Sequence, residues 1–226
     1  MKFKAVVMDI DGTITCEKRE LHLKAVEKIR TLKIPVVLAT GNIICYARAA
    51  SKLIGLNGTV IAENGGAVTV QYDATASFTE GLEECEKAFI FLSKHFKLTK
   101  LDPFYRKTEI ALRRNFDIEK AEKLLEPLAF DVEIVDTKYA IHIKSKKINK
   151  GTGLVKLAAM MGLDPKDFVA IGDSVNDVEM LKAAGFGIAV ANGDEKIMKA
   201  ADHVTTATFG DGAVEALEFL EAKGWI

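Results

Sequence analysis

The sequence predicts an α/β protein: a doubly wound, Rossmann-like parallel-sheet core with a small α+β cap domain inserted into it. Three observations predict this. Apolar, β-branched runs alternate with helix-period segments through residue 62; polar–apolar alternation replaces that rhythm from about residue 80 to 148; and the first rhythm resumes at Lys150.

Residues 3–8 form a short apolar run that stops at Asp9-Ile10-Asp11-Gly12-Thr13, as a buried strand with polar groups at its carboxyl end does. Segment 21–32 carries Leu23, Val26, Ile29 and Leu32 at the spacing of an amphipathic helix. Residues 35–39 are a second buried strand, ending at Thr40-Gly41-Asn42. Residues 43–53 read as a helix and 59–62 as a third strand, ending at Glu63-Asn64-Gly65-Gly66. In the middle region 81–96 reads as one long helix and 108–113 alternates like a half-exposed strand. Segment 117–128 is a helix with Asp117 as N-cap, and 132–135 and 140–144 alternate like antiparallel strands with one wet face. Then come a helix at 152–161, a buried strand at 168–171 ending in Gly172-Asp173-Ser174, a helix at 175–184, a strand at 187–190 and a closing helix at 211–222. The expected domains are a catalytic core of residues 1–82 and 149–226 and a cap of residues 83–148.

Composition narrows the class. The chain has 226 residues, 49% of them hydrophobic, and 31 basic against 32 acidic residues give a net charge of −1. No concentrated positive field is expected, hence no nucleic-acid or anionic-membrane partner. Cys16, Cys45 and Cys85 are odd in number and in no metal-ligand spacing, as reduced cytoplasmic thiols are. No apolar run approaches the roughly 18 to 20 residues of a membrane span, and Ala5-Val6-Val7-Met8 is too short for a signal peptide. The expectation is a soluble cytoplasmic protein, monomer or homodimer, acting on a small molecule.

Ligands of open parallel sheets bind at the carboxyl ends of strands. Four such ends carry polar groups here: Asp9 and Asp11, Thr40, Asn64, and Asp173 with Asp177. Alone, Asp9-Ile10-Asp11-Gly12 suits an Asx-type turn as well as a site. Two acids this close resist ionising together and call for a cation or a shared proton; Mg2+, with hard oxygen ligands, would satisfy them. Thr40 alone suits a helix N-cap, and Lys150 alone a solvated face, since Lys144, Lys146 and Lys147 precede it. Gly172-Asp173-Ser174-Val175-Asn176-Asp177 aims more polar groups at one point than helix capping requires.

In order, these segments resemble the four motifs of the haloacid-dehalogenase-like phosphohydrolase superfamily: Asp9 to Thr13, Thr40-Gly41, Lys150, and Gly172 to Asp177. The resemblance spans the whole chain. The insertion is similar to the type-IIB cap, and its small size and the chain length look most like the archaeal phosphoglycolate phosphatases; the sucrose, mannosyl-3-phosphoglycerate and phosphomannomutase relatives generally carry larger caps. The resemblance implies a Mg2+-dependent phosphatase. Asp9 would be the nucleophile and carry a phosphoaspartate, and Asp11 the general acid and base. Thr40, Gly41, Lys150 and Asn176 would bind phosphate. Asp9, the backbone carbonyl of Asp11, Asp173 and Asp177 would surround the metal. Asn42 replaces the arginine that many capped relatives place after Thr-Gly, and Asn64-Gly65 resembles a structural Asn-Gly of the type-IIB members. A phosphoglycolate carboxylate needs a cation or amide from the cap, with Arg106, Lys107, Arg113, Arg114, His142 and Lys144 as the pool. For each of these, a solvent-exposed charge is the plainer expectation.

Two enzyme readings compete, 2-phosphoglycolate hydrolysis and a broader sugar-phosphate or small-phosphomonoester phosphatase. A phospho-accepting signalling module also uses paired acids, a threonine and a lysine, but is about half this length and lacks an insert. A dinucleotide binder is excluded because no Gly-x-Gly-x-x-Gly follows the first strand.

Overall fold

The computed structural model describes residues 1–137 and 139–226. Two compact units divide the chain, Met1–Ser77 with Asn149–Ile226, and Phe78–Ile148.

The first unit is built on a sheet in which β1 (Ala5–Asp9) is flanked by β2 (Val36–Ala39) and β10 (Phe168–Gly172). Outside β2 come β3 (Val60–Ala62), the antiparallel β4 (Ala67–Thr69) and the edge strand β5 (Ser77–Phe78); outside β10 come β11 (Phe186–Ala189) and β12 (His203–Val204). From β12 to β3 all pairings are parallel. Both faces of the central strands β1, β2, β3 and β10 are covered, which is why these strands are apolar up to their carboxyl ends. Val6 and Met8 pack on one side with Ala25, Val26 and Ile29 of α1 (Leu23–Thr31), Ala47 and Ile54 of α2 (Ile44–Ile54) and Leu217 of α8 (Phe209–Ala222). Ala5 and Val7 pack on the other with Leu154 and Leu157 of α5 (Lys150–Met161), Met180 and Leu181 of α6 (Val178–Ala183) and Ile197 of α7 (Glu195–Ala200). Leu23 is solvent-exposed, so the buried stripe of α1 runs through Ala25 instead. The helix expected at 175–184 is a 3-10 turn, Val175–Asp177, followed by α6.

In the second unit β6 (Lys100–Leu101), β7 (Ile110–Leu112), β8 (Val132–Asp136) and β9 (Ile141–Ser145) form an antiparallel sheet ordered β6-β7-β9-β8. Ile110, Leu112, Ile141 and Ile143 pack on Cys85, Ala88 and Leu92 of α3 (Leu82–Leu92) and on Ala121 and Leu125 of α4 (Ile118–Leu125). Asp117 caps α4 as expected, accepting the Lys120 N–H at 3.0 Å. β7 and β9 were expected to be half-wet, yet both are buried along their whole length. On the second face, His142 of β9 is paired within the unit rather than with solvent: its Nδ1 lies 2.9 Å from Oε1 of buried Glu109, the residue before β7.

Candidate active site

Strand register brings the carboxyl ends of β1, β2 and β10 together. Asp9 pairs with Ala39, so Thr40 follows one residue on; Met8 pairs with Ile171, so Gly172 and Asp173 run on past it. From β1 the chain winds outward through β2 and β3, and from β10 it winds the opposite way through β11 and β12, so the sheet switches direction between β1 and β10. A crevice opens at such a switch.

Asp9, Asp173 and Asp177 are all buried there, each with a carboxylate oxygen within 4.8 Å of the others. Lys150, 1% exposed, reaches in with Nζ 2.5 Å from Asp9 Oδ1 and 2.6 Å from Asp177 Oδ1. Burial pushes the Asp9 carboxyl well above the usual carboxylate range; the Lys150 ammonium opposes this, and Asp177, Asp173 and Asp11 add to it. Burial also works against the Lys150 charge, but Asp177 and Asp9 outweigh it and hold the ammonium above its ordinary range. One buried cation thus faces three buried carboxylates. A hard dication fits that deficit of positive charge and that oxygen donor set.

Local structure aims these groups. At Gly12, φ is +94°, and a Cβ there would stand 2.5 Å from Asp173 Oδ2, so only glycine lets the loop close over that carboxylate. Thr13 Oγ1 donates to Asp173 Oδ1 at 3.3 Å. Asp177 Oδ2 accepts the N–H groups of Asp173 and Ser174 at 3.2 and 3.1 Å, and its Oδ1 faces Lys150. Asp11 points elsewhere: its Oδ1 accepts Arg19 Nε–H at 2.8 Å, and its carboxylate is outside the three-acid group. Thr40 does not cap α2, whose N-cap is Ile43; its Oγ1 accepts the Asn42 N–H at 3.0 Å. With that lone pair engaged, the Thr40 hydroxyl proton can be donated to an anion. Lys150 is the first residue of α5, whose N-cap Asn149 forms a capping box with Thr152. The wet basic face expected from Lys144 to Lys150 is only half correct: Lys144 and Lys150 are buried, Lys146 and Lys147 exposed. Both buried lysines have carboxylate partners, Glu133 for Lys144 and the site acids for Lys150.

The family model for haloacid dehalogenase-like hydrolases matches residues 6–104 and 83–217. The chain belongs to the haloacid dehalogenase-like hydrolase family. A phosphoglycolate phosphatase of Methanosarcina acetivorans is 76% identical over 226 residues, all of both chains. The crystal structure of Thermoplasma acidophilum 0175 superposes with a TM-score of 0.87 at 24% identity, over 98% of this chain and 99% of that one. A HAD subclass IIB sugar phosphatase superposes with a TM-score of 0.77 at 20% identity, over 99% and 100%. The parallel-sheet core with an inserted α+β cap is therefore the fold that these structures share.

Within this fold Asp9, Thr40, Lys150, Asp173 and Asp177 come together, while the Asp11 side chain turns to Arg19. Asn176 lies beside them, its Nδ2 donating to Asn64 Oδ1 at 2.9 Å, and Gly41 packs under the same Asn64 amide. Thr13 lies in the first motif but had no expected role of its own, and Asn192 was not expected at the site at all. Asn192 Nδ2 donates to the Gly12 carbonyl at 2.9 Å, and its Oδ1 accepts the Phe209 N–H at 2.6 Å. The signal was present, since Asn192-Gly193 follows β11 as the other polar ends follow their strands. Of the cap pool, Lys107, Arg113 and Arg114 are exposed, and Arg114 forms two 2.8 Å bonds to Asp136. Arg106, His142 and Lys144 are buried, against the plainer expectation of solvent-exposed charge, because carboxylates compensate them: Glu109 for the first two and Glu133 for Lys144.

Proposed function

We propose that this chain hydrolyses 2-phosphoglycolate to glycolate and phosphate, through an aspartyl phosphate on Asp9 and with Mg2+ as its ion. The carrying observation is Lys150 Nζ held between Asp9 and Asp177 beside Asp173, in a chain 76% identical over its full length to a phosphoglycolate phosphatase. The expected core of residues 1–82 and 149–226 supplies the chemistry in this reading, and the cap of residues 83–148 supplies recognition of the leaving group.

Asp9 and Asp173 would hold the ion through their carboxylates, together with the Asp11 carbonyl. Asp177, with Oδ2 taken by two N–H groups and Oδ1 by Lys150, orients them. When bound, the ion would supply charge neutralisation to Asp9 and to the phosphoryl group. A carboxylate oxygen of Asp9 attacks phosphorus as the bond to the glycolate oxygen breaks. Protonated Asp11 gives its proton to that oxygen; the resulting carboxylate then takes a proton from the water that attacks the aspartyl phosphate, releasing phosphate and restoring Asp9. Arg19 holds the Asp11 carboxyl outside the three-acid group, apart from the nucleophile. Lys150, the Thr40 hydroxyl and Asn176 bind the non-bridging oxygens, where fixed donors are most effective.

The test is Mg2+-dependent phosphate release from a panel of monoesters. The expected result is the highest kcat/KM on phosphoglycolate and none in Asp9→Asn. A kcat/KM no better than that for hexose phosphates would refute the substrate, and full activity in Asp9→Asn the nucleophile.

A further inference from the structure

We infer that Asn64 is a positioning residue for this reaction, acting through Asn176. The Glu63-Asn64-Gly65 turn after β3 is unusual backbone: φ is +49°, +52° and +104° at the three successive residues. Asparagine tolerates the left-handed region; glutamate rarely adopts it, and such runs persist only where the surroundings over-determine them.

The surroundings do so here. Asn64 is fully buried, and its N–H donates to the Thr40 carbonyl at 3.2 Å while Glu63 N–H donates to the Asn42 carbonyl at 2.9 Å. The turn is thus tied to the Thr40-Gly41-Asn42 segment by two backbone bonds. On the Asn64 amide, Oδ1 accepts Asn176 Nδ2–H at 2.9 Å. Gly41 lies against the same amide, where a Cβ would come within 2.9 Å of Oδ1. Asn176 is gripped from its other end too, since its Oδ1 accepts the Ser174 hydroxyl. With Oδ1 and one Nδ2 proton engaged, Asn176 has one amide proton left for an anion, in a fixed direction. Gly65 extends the same turn to the third phosphate-binding segment: its missing Cβ would stand 1.9 Å from the Asn149 carbonyl oxygen, next to Lys150. One left-handed turn therefore registers Thr40, Asn176 and the start of α5 against one another, and the Asn64 amide is its link to Asn176.

The inference rests on the proposed reading of the site, and one substitution isolates it. Asn64→Gly keeps the left-handed backbone and deletes the amide. The expected result is a protein that still folds, with a melting temperature lowered by no more than a few degrees, kcat on phosphoglycolate lowered about tenfold, the worth of one buried hydrogen bond, and KM within about twofold. In an Asn176→Ala background the same change should cost less than about twofold, because its partner is already gone. Parental kcat in Asn64→Gly, or an undiminished loss in the Asn176→Ala background, would overturn the inference. Should Asn64→Gly fail to fold, Asn64→Asp keeps both the left-handed tolerance and an oxygen acceptor. Its kcat should stay within about threefold of the parent; a kcat as low as that of Asn176→Ala in a stable Asn64→Asp protein would contradict the inference. An active Asp9→Asn would instead bring down the reading of the site itself, whatever Asn64 does.

Discussion

Lys150 is costly to bury and more costly to remove. With Nζ 2.5 and 2.6 Å from two buried carboxylates, its loss leaves Asp9, Asp173 and Asp177 facing one another without a cation. Lys150→Met is therefore expected to lower unfolding free energy by roughly 3 to 5 kcal/mol, the usual penalty for orphaning a buried charge. It should also lower kcat by at least about a hundredfold, as loss of a transition-state charge contact does. Denaturant titration and steady-state kinetics check the two separately. The residues that converge here were legible because strand ends in a parallel sheet converge by construction; Asp9, Thr40 and Asp173 each follow an apolar run. The burial of Lys150 was not legible, because Lys144, Lys146 and Lys147 give it the neighbourhood of a wet basic stretch. Only Asp9 and Asp177, 141 and 27 residues away in the chain, account for its position inside.

At the scale of elements, long periodic segments were readable and short ones were not. α1, α2, α5, α8 and the central strands of the core stand close to their expected places because each buries a full stripe or both faces, whereas the six-residue α7 was not expected. β4, β5, β6 and β12 span only two or three residues each, too few to show any period. In the second unit alternation was read correctly and its meaning was not: Glu109 and His142 are both buried, with His142 Nδ1 2.9 Å from Glu109 Oε1. Tertiary pairing of that kind has no local signature. The three cysteines give this packing a direct readout. Cys45 is exposed on α2, whereas Cys85 is buried on α3 and burial pushes its thiol up to about 12. Only the thiolate alkylates, so a raised value means that at pH 8 Cys85 holds almost none of the reactive form. Iodoacetamide at pH 8 should label Cys45 rapidly and Cys85 only after denaturation, as peptide mass spectrometry will show. Equal labelling rates in the native protein would mean that α3 does not pack as described.

For the molecule as a whole, three buried acids face one lysine, and in the proposed reading a bound ion would be a folding partner as well as a catalytic one. Mg2+ at about a hundred times its Kd should add about 2.7 kcal/mol to stability, because it binds only the native arrangement of ligands. Differential scanning fluorimetry should show a melting temperature that rises with Mg2+ in the parent and stays flat in Asp173→Asn. The two compact units, Met1–Ser77 with Asn149–Ile226 and Phe78–Ile148, follow the core–insert–core order that the break in rhythm near residue 80 and its return at Lys150 implied. Leaving-group selection was the least legible property, since the proposed reading assigns it to the second unit, where Arg106, Lys144 and Arg114 are paired with carboxylates of that unit. The chemistry is better determined, and its central claim is a covalent phosphate on Asp9. Borohydride reduces an aspartyl phosphate to homoserine, so quenching turnover of phosphoglycolate into borohydride and mapping the peptides by mass spectrometry tests that claim most directly. Homoserine is expected at position 9, only with both Mg2+ and substrate present; an actively turning-over enzyme with unmodified Asp9, or with homoserine at another aspartate, would rule out Asp9 as the nucleophile.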